Sequence, residues 1–163
     1  MEVIETDALP ECAFFGDRDL KQITVKAPCA NIGRRAFHGC WNLESINFPE
    51  TLERIGDGTF ADCRSLTTIN LPEGVTEIGD CAFVRSGLME ITFPQNLRLI
   101  GFNIFRGCHS LEKVTFPDGI KEIKRSQKLF ENCDNLKELS VCADCKIENG
   151  SIPENCRVVF RME

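Results

Sequence analysis

The stretch Ile55-Gly56-Asp57-Gly58-Thr59-Phe60-Ala61-Asp62-Cys63-Arg64-Ser65-Leu66-Thr67-Thr68-Ile69-Asn70-Leu71-Pro72-Glu73-Gly74-Val75-Thr76-Glu77 decides the fold, because both neighbours repeat it. Upstream, Ile32-Gly33-Arg34-Arg35-Ala36-Phe37-His38-Gly39-Cys40 restates its opening, and downstream Ile78-Gly79-Asp80-Cys81-Ala82-Phe83 does so again. Working outward, Phe14, Phe37, Phe60, Phe83, Phe105 and Phe130 recur at intervals of 23, 23, 23, 22 and 25. Leu20, Leu43, Leu66, Leu88, Leu111 and Leu136 follow in step, and so do Ile23, Ile46, Ile69, Ile91, Val114 and Leu139. Self-similarity at a spacing of about 20–30 residues marks a solenoid, in which each coil buries its apolar face against the next. Such a stack builds a long surface, a shape suited to holding partners rather than to chemistry.

Composition narrows the classes. The 163 residues suit a single domain of stacked coils over 1–163, with repeats at about 9–31, 32–54, 55–77, 78–99, 100–122 and 123–148 and a capping strand over 149–163. A net charge of −6 argues against nucleic acid or an anionic membrane as partner. The opening Met1-Glu2-Val3-Ile4-Glu5-Thr6-Asp7 has no basic or apolar leader segment, and no apolar run reaches the ~20 residues of a membrane span. As written the chain reads as cytoplasmic, or as cell-surface or secreted if excised from a longer one. A monomer is expected.

Each repeat position has a physical reading. The LxxIxF segment ends in period-2 alternation, so Ile46 and Phe48 face inward and Asn47 outward, giving one short strand per coil in a parallel ladder. Pro49, Pro72, Pro94 and Pro117 end these strands. The glycine after the Ile (Gly33, Gly56, Gly79, Gly101) permits a tight corner or positive φ, and AFxxC turns the chain back as a helical turn that buries the Phe. The strand-end column of Phe48, Phe93, Phe116 and Phe160 adds a second apolar file. The register slips twice, by one residue lost between Phe83 and Leu88 and by two gained within Lys124-Arg125-Ser126-Gln127-Lys128. The second slip is a basic loop on an acidic chain.

The pattern IGxxAFxxCxxLxxIxxPxxVxx resembles the BspA-like (Treponema pallidum-type) leucine-rich repeat over roughly residues 9–145. The expected class is therefore an α/β repeat solenoid of leucine-rich-repeat type, mostly β and loop with short helical turns. The resemblance implies adhesion or host-matrix binding at a cell surface in many members, and intracellular or unassigned roles in others. At the N-terminus no LxxIxI strand precedes Ala13-Phe14, so the chain reads as starting partway through a coil, either a short array or the C-terminal part of a longer one. Val158 and Phe160 are expected to face inward on a final strand.

Candidate chemistry is sparse. Cys40, Cys63, Cys108 and Cys133 sit three residues after a column Phe, and Cys29 and Cys145 fill a Leu/Val/Ile slot, so six of ten cysteines read as packed thiols. Cys142-Ala143-Asp144-Cys145 with Cys133 and Cys156 lacks the two tight pairs of a zinc site, and its CxxC follows a strand where a thioredoxin-like pair opens a helix. A Cys142–Cys156 disulfide stays open as an alternative. His109 beside Cys108 has no orienting third group for a nucleophile. Asn149-Gly150-Ser151 matches a glycosylation acceptor. No catalytic residue, metal ligand set or cofactor is assigned.

What remains is the outer face of the ladder. One column reads Thr24, Asn47, Asn70, Thr92, Thr115, Ser140 and the other Gln22, Ser45, Thr68, Glu90, Lys113, Glu138. In-register Thr and Asn can hydrogen-bond one another along a parallel sheet, or form a polar platform for a protein or glycan. Asn47, Asn70, Thr92, Thr115, Ser45 and Thr68, with Trp41 as an aromatic anchor, are the candidate partner-binding residues, on the premise of continuous backbone pairing. The alternative is an intracellular scaffold or spacer without a dedicated ligand.

Overall fold

A computed structural model describes residues 2–124 and 127–162. Its strands are β1 (Glu2–Glu5), β2 (Ala8–Leu9), β3 (Gln22–Lys26), β4 (Asn31–Ile32), β5 (Ser45–Asn47), β6 (Arg54–Ile55), β7 (Glu77–Ile78), β8 (Glu90–Thr92), β9 (Leu99–Ile100), β10 (Lys113–Thr115), β11 (Glu122–Ile123), β12 (Glu138–Cys142), β13 (Lys146–Ile147) and β14 (Arg157–Arg161). Every pairing is parallel, and Ile23, Ile46 and their counterparts Ile91, Val114 and Leu139 stand opposite one another in register. The chain is a parallel solenoid, as the repeat predicts.

Several details depart from the sequence reading. Each coil carries a second short strand at its Ile-Gly corner, and β2-β4-β6-β7-β9 form a second ladder. A strand also precedes the first AF: β1 pairs with β3, placing Val3 opposite Thr24. The Glu-rich β1 sequence hid it, since only Ile4 of this strand packs on the core. The corner glycines do not need positive φ. They allow close approach, for a Cβ on Gly56 would lie 2.7 Å from the Arg34 nitrogen of the preceding coil.

The AFxxC segments are not helical. In each one, the residues two before and two after the Phe both have positive φ, as at Arg35 and Gly39 around Phe37, or Cys81 and Arg85 around Phe83. Left-handed residues so placed fold the chain into successive turns, with i→i+3 bonds such as His38 N–H to Arg35 O (3.1 Å) and Cys40 N–H to Phe37 O (3.1 Å). The alternate N–H groups then point at the next coil: Arg35, Phe37 and Gly39 donate to Asp57 O, Thr59 O and Ala61 O at 2.8, 3.0 and 2.8 Å. This third ladder is invisible to a periodicity argument, because an i→i+3 turn and a short helix bury the same Phe.

The Phe file is continuous. Phe14, Phe37, Phe60, Phe83, Phe105 and Phe130 stack at centroid separations of 5.3, 5.5, 5.6, 5.8 and 5.7 Å with near-parallel rings. Five are buried; Phe14, with no ring above it, is half-buried against the core. In the second file Phe48, Phe93 and Phe116 meet the edges or faces of Phe60, Phe105 and Phe130. Phe160 does not join them. It lies 52% exposed on β14, with no coil packed on its outer side, while Val158 is half-buried.

The cysteine column does more than fill space. Cys40, Cys63, Cys108 and Cys133 are fully buried, and each Sγ donates to the column-Phe carbonyl of the preceding coil, at 3.0, 3.1, 2.9 and 2.9 Å. Each of these carbonyls already accepts a backbone N–H three residues on, as Phe37 O does from Cys40 N–H, so the thiol adds a second donor from the next coil and ties the two coils together. Burial pushes the Cys40 and Cys133 thiols up to about 12. All ten cysteines, Cys142 and Cys156 included, are free.

Candidate functional site

The strand face is built by the period-2 alternation: Ile46, Ile91 and Val114 are buried, while Ser45, Asn47, Glu90, Thr92 and Lys113 point out. The expected continuous ladder is broken. β1-β3-β5 form one sheet and β8-β10-β12-β14 another, and residues 68–70 between them have no strand pairing. The break adjoins the coil that is one residue short. There Gly87 donates to Cys63 O (3.1 Å), and a Cβ on it would lie 2.0 Å from Arg64 O, so the shortened turn closes tightly on its neighbour. Met89 N–H still reaches Thr67 O (2.9 Å), and pairing stops there.

The gap opens a recess of about 640 Å³. Of the seven candidate residues it gathers four, Thr68, Asn70, Thr92 and Thr115. Asn47 and Ser45 stand on the neighbouring sheet, where Asn47 Nδ2 donates to Thr24 Oγ1 at 3.2 Å. This is the one Thr/Asn bond along the column among the described residues. The recess adds charged groups that were not singled out: Glu73, Glu90 and Lys113. Glu73 Oε2 accepts from Gln95 N–H (3.0 Å), and Lys113 Nζ pairs with Glu138 (2.9 Å), which holds that carboxyl below its ordinary range. Glu90 and Lys113 belong to the second outward column and are register partners on β8 and β10, and Glu73, which follows Pro72 beyond the strand, lines the recess beside them.

Trp41 is not a lone anchor. Its ring lies between Arg18 and Arg64 of the adjacent coils, whose guanidinium carbons stand 4.2 and 4.6 Å from its centroid. Both faces are thereby engaged in cation–π contact, and 38% of the residue stays accessible. Beside it, Asp62 is buried, held by Arg85 in a two-pronged pair (2.9 and 2.6 Å) and approached by Arg64 (3.7 Å). The Arg85 hydrogen bond holds its carboxyl low, and burial lowers the nearby His38.

In the basic loop, Arg125 and Ser126 lie outside the described residues. Lys124 pairs with Glu122 (3.2 Å) and Lys121 with Asp144 (2.8 Å). Among the described residues no three His, Cys, Asp or Glu side chains cluster as a metal site, and no helix is long and apolar enough to cross a membrane. Cys108 is committed to the Phe83 carbonyl, and His109 pairs with Asp134 at the surface (3.4 Å).

Comparison with known proteins gives the same picture. The profile of the BspA type leucine rich repeat region matches residues 7–137 in 6 copies. The crystal structure of the T. pallidum leucine rich repeat protein TpLRR superposes with a TM-score of 0.79 at 29% identity, covering 89% of this chain and 72% of that one. A leucine-rich repeat protein from Bacteroides ovatus gives 0.77 at 28%, covering 95% and 46%. The pneumococcal vaccine antigen PcpA shares the fold alone, at 0.60 and 17% identity, with coverage of 100% and 55%. No curated protein matches the sequence.

Proposed function

The chain belongs to the BspA-type leucine-rich-repeat family, and on that premise we propose that it is a protein-binding module whose partner seats in the recess at the ladder break, in an adhesion or matrix-type interaction. Leucine-rich-repeat solenoids generally serve as non-enzymatic binding scaffolds, presenting an extended surface fixed by the stack. The observation that carries the assignment is the recess itself: Thr68, Asn70, Thr92 and Thr115 converge there with Glu73, Glu90 and Lys113. Thr92 and Thr115 stand on the paired strands β8 and β10, where a short side chain loses little entropy on binding. The unpaired main chain of 68–70 adds donors and acceptors that a partner can engage.

The test is solid-phase binding to a panel of extracellular-matrix proteins and glycans, comparing the parent with Asn70→Arg and Thr92→Arg. Binding should fall at least about tenfold in either variant, with the thermal midpoint nearly unchanged because both sites are exposed. A partner that ignores these changes but is lost on replacing Lys124, Arg125 and Lys128 moves the site to the basic loop. The rival reading, an intracellular scaffold, is favoured by the ten free cysteines. A disulfide found in protein isolated from its natural source removes that support.

A further inference from the structure

The turn ladder is saturated along the stack and then stops. At every coil interface from Cys12 to Gly107 the residues two before, at and two after the column Phe donate to the next coil, ending with Asn103, Phe105 and Gly107 on Gln127 O, Leu129 O and Glu131 O at 2.8, 3.1 and 2.8 Å. The next three donors, the N–H groups of Lys128, Phe130 and Asn132, have no acceptor among the described residues. The cause is internal to the chain. Leu139 and Val158 are register partners only 19 residues apart, against 23 between Ile23 and Ile46, and the segment after β13 is too short to make another AF turn. Ser151 instead folds back onto Glu148 O (3.0 Å). A groove of about 400 Å³ is left where the turn would be, floored by Phe130, Cys133, Ile152 and Pro153.

We infer that this groove is a peptide-binding site, taking a segment of a partner protein, turned as the chain is at 57–61, whose alternate carbonyls accept from Lys128, Phe130 and Asn132 in place of the missing turn. This is edge addition by main-chain hydrogen bonds, and it goes beyond the ladder-face reading. The internal interfaces define the ligand. Their acceptors occupy alternate positions, and the central one is always a buried small or aliphatic residue: Ala36, Thr59, Ala82, Ile104 or Leu129. The two flanking positions vary freely, as Arg, Asp, Phe and Gln at one and His, Ala, Val, Arg and Glu at the other. A second copy of the chain does not fit, although its Glu11, Ala13 and Phe15 carbonyls are unpaired: stacking its first turn here would put its β1 at the level already filled by β12.

The test is amide NMR on the full chain with a probe peptide, acetyl-Gly-Asp-Gly-Thr-Phe-Ala-Asp-amide, which copies residues 56–62. In the free protein the Phe130 and Asn132 amides should exchange at least about tenfold faster than Phe105 and Gly107. Peptide at about 1 mM should shift and protect the Lys128, Phe130 and Asn132 amides. A peptide with Lys in place of the central Thr should bind at least about tenfold more weakly, since that residue must be buried. Protection of these amides in the free protein, shifts confined to other residues, or equal binding of the Lys peptide overturns the proposal. So does protection that appears with protein concentration alone, which identifies a second copy as the occupant.

Discussion

Replacing Phe60 by Ala removes a ring that touches three others: Phe37 and Phe83 stacked at 5.5 and 5.6 Å and Phe48 edge-on at 6.1 Å. A buried Phe→Ala change costs about 3–5 kcal/mol. With the side chain fully buried and a coil on each side, Phe60 belongs near the top of that range, at about 4–5 kcal/mol. Phe14 has one stacked neighbour and is half-buried, so Phe14→Ala should cost about 1.5–2.5 kcal/mol. The comparison isolates nearest-neighbour coupling, because the same residue type is removed from the same repeat position. Urea unfolding followed by circular dichroism reads both. A central gap also uncouples the coils on either side, so the Phe60→Ala transition should broaden and its m-value fall, while Phe14→Ala keeps the parent slope. Equal losses in the two variants would refute the idea that stability resides in the interfaces between coils.

Three further outcomes are expected. Arg35 holds φ 54° with an exposed side chain, so Arg35→Gly should stabilise the fold by about 0.5–1 kcal/mol in the same unfolding assay. Stability should fall at both ends of the pH range. His38 is held below 6.5 chiefly by burial, so its contribution is full above that value and lost as pH falls through the lower folded pKa; Asp62, held low first by Arg85, follows below 3.8. Cys40 and Cys133, raised to about 12 by burial, contribute fully below 9.0 and lose that contribution as pH rises toward 12; melting curves should show His38→Asn removing the first acid step and Cys→Ser changes in the column reducing the alkaline one. A thiol reagent at neutral pH should modify exposed Cys12 first and half-buried Cys81 and Cys156 more slowly, leaving the seven buried thiols until unfolding, as mass spectrometry of the labelled protein will show.

The Phe and Ile columns were legible in the sequence because burial repeats with the period, and periodicity reports burial. Hydrogen-bonding geometry is not reported in that way. Nothing in Arg35, Cys81 or Asn103 announces a left-handed residue, since the repeat puts glycine at only one site of that column, Gly58. A periodicity argument therefore reads the turn ladder as helical turns. The repeat locates the thiol column but not its donor role, for a related reason: a buried Cys looks like a small apolar residue until its acceptor is seen. Trp41 was legible as exposed, whereas its two Arg neighbours, each 23 residues away, are evident only once the column is closed into a coil.

Both candidate sites stand where the repeat fails, and the physics of a solenoid makes this the expected place. In a regular coil every strand N–H, corner glycine and turn donor is already engaged by its neighbour, so regularity leaves side chains as the only surface with free bonding capacity. Losing one residue between Phe83 and Leu88 leaves the backbone of 68–70 unpaired beside polar side chains. Shortening the coil after β13 leaves three turn donors above an apolar floor with no acceptor among the described residues. The first defect exposes a wide polar recess, suited to a folded partner's surface. The second exposes a narrow edge with one-directional donors, suited to a single segment turned as the internal acceptor segments are. The two meet at the β10–β11 coil, which lends Lys113 and Thr115 to the recess and Phe130 to the groove, so one partner could seat its folded part at 68–92 and lay a tail across 128–132. In that case Thr92→Arg would weaken both contacts for a linked partner and leave the isolated peptide's affinity unchanged.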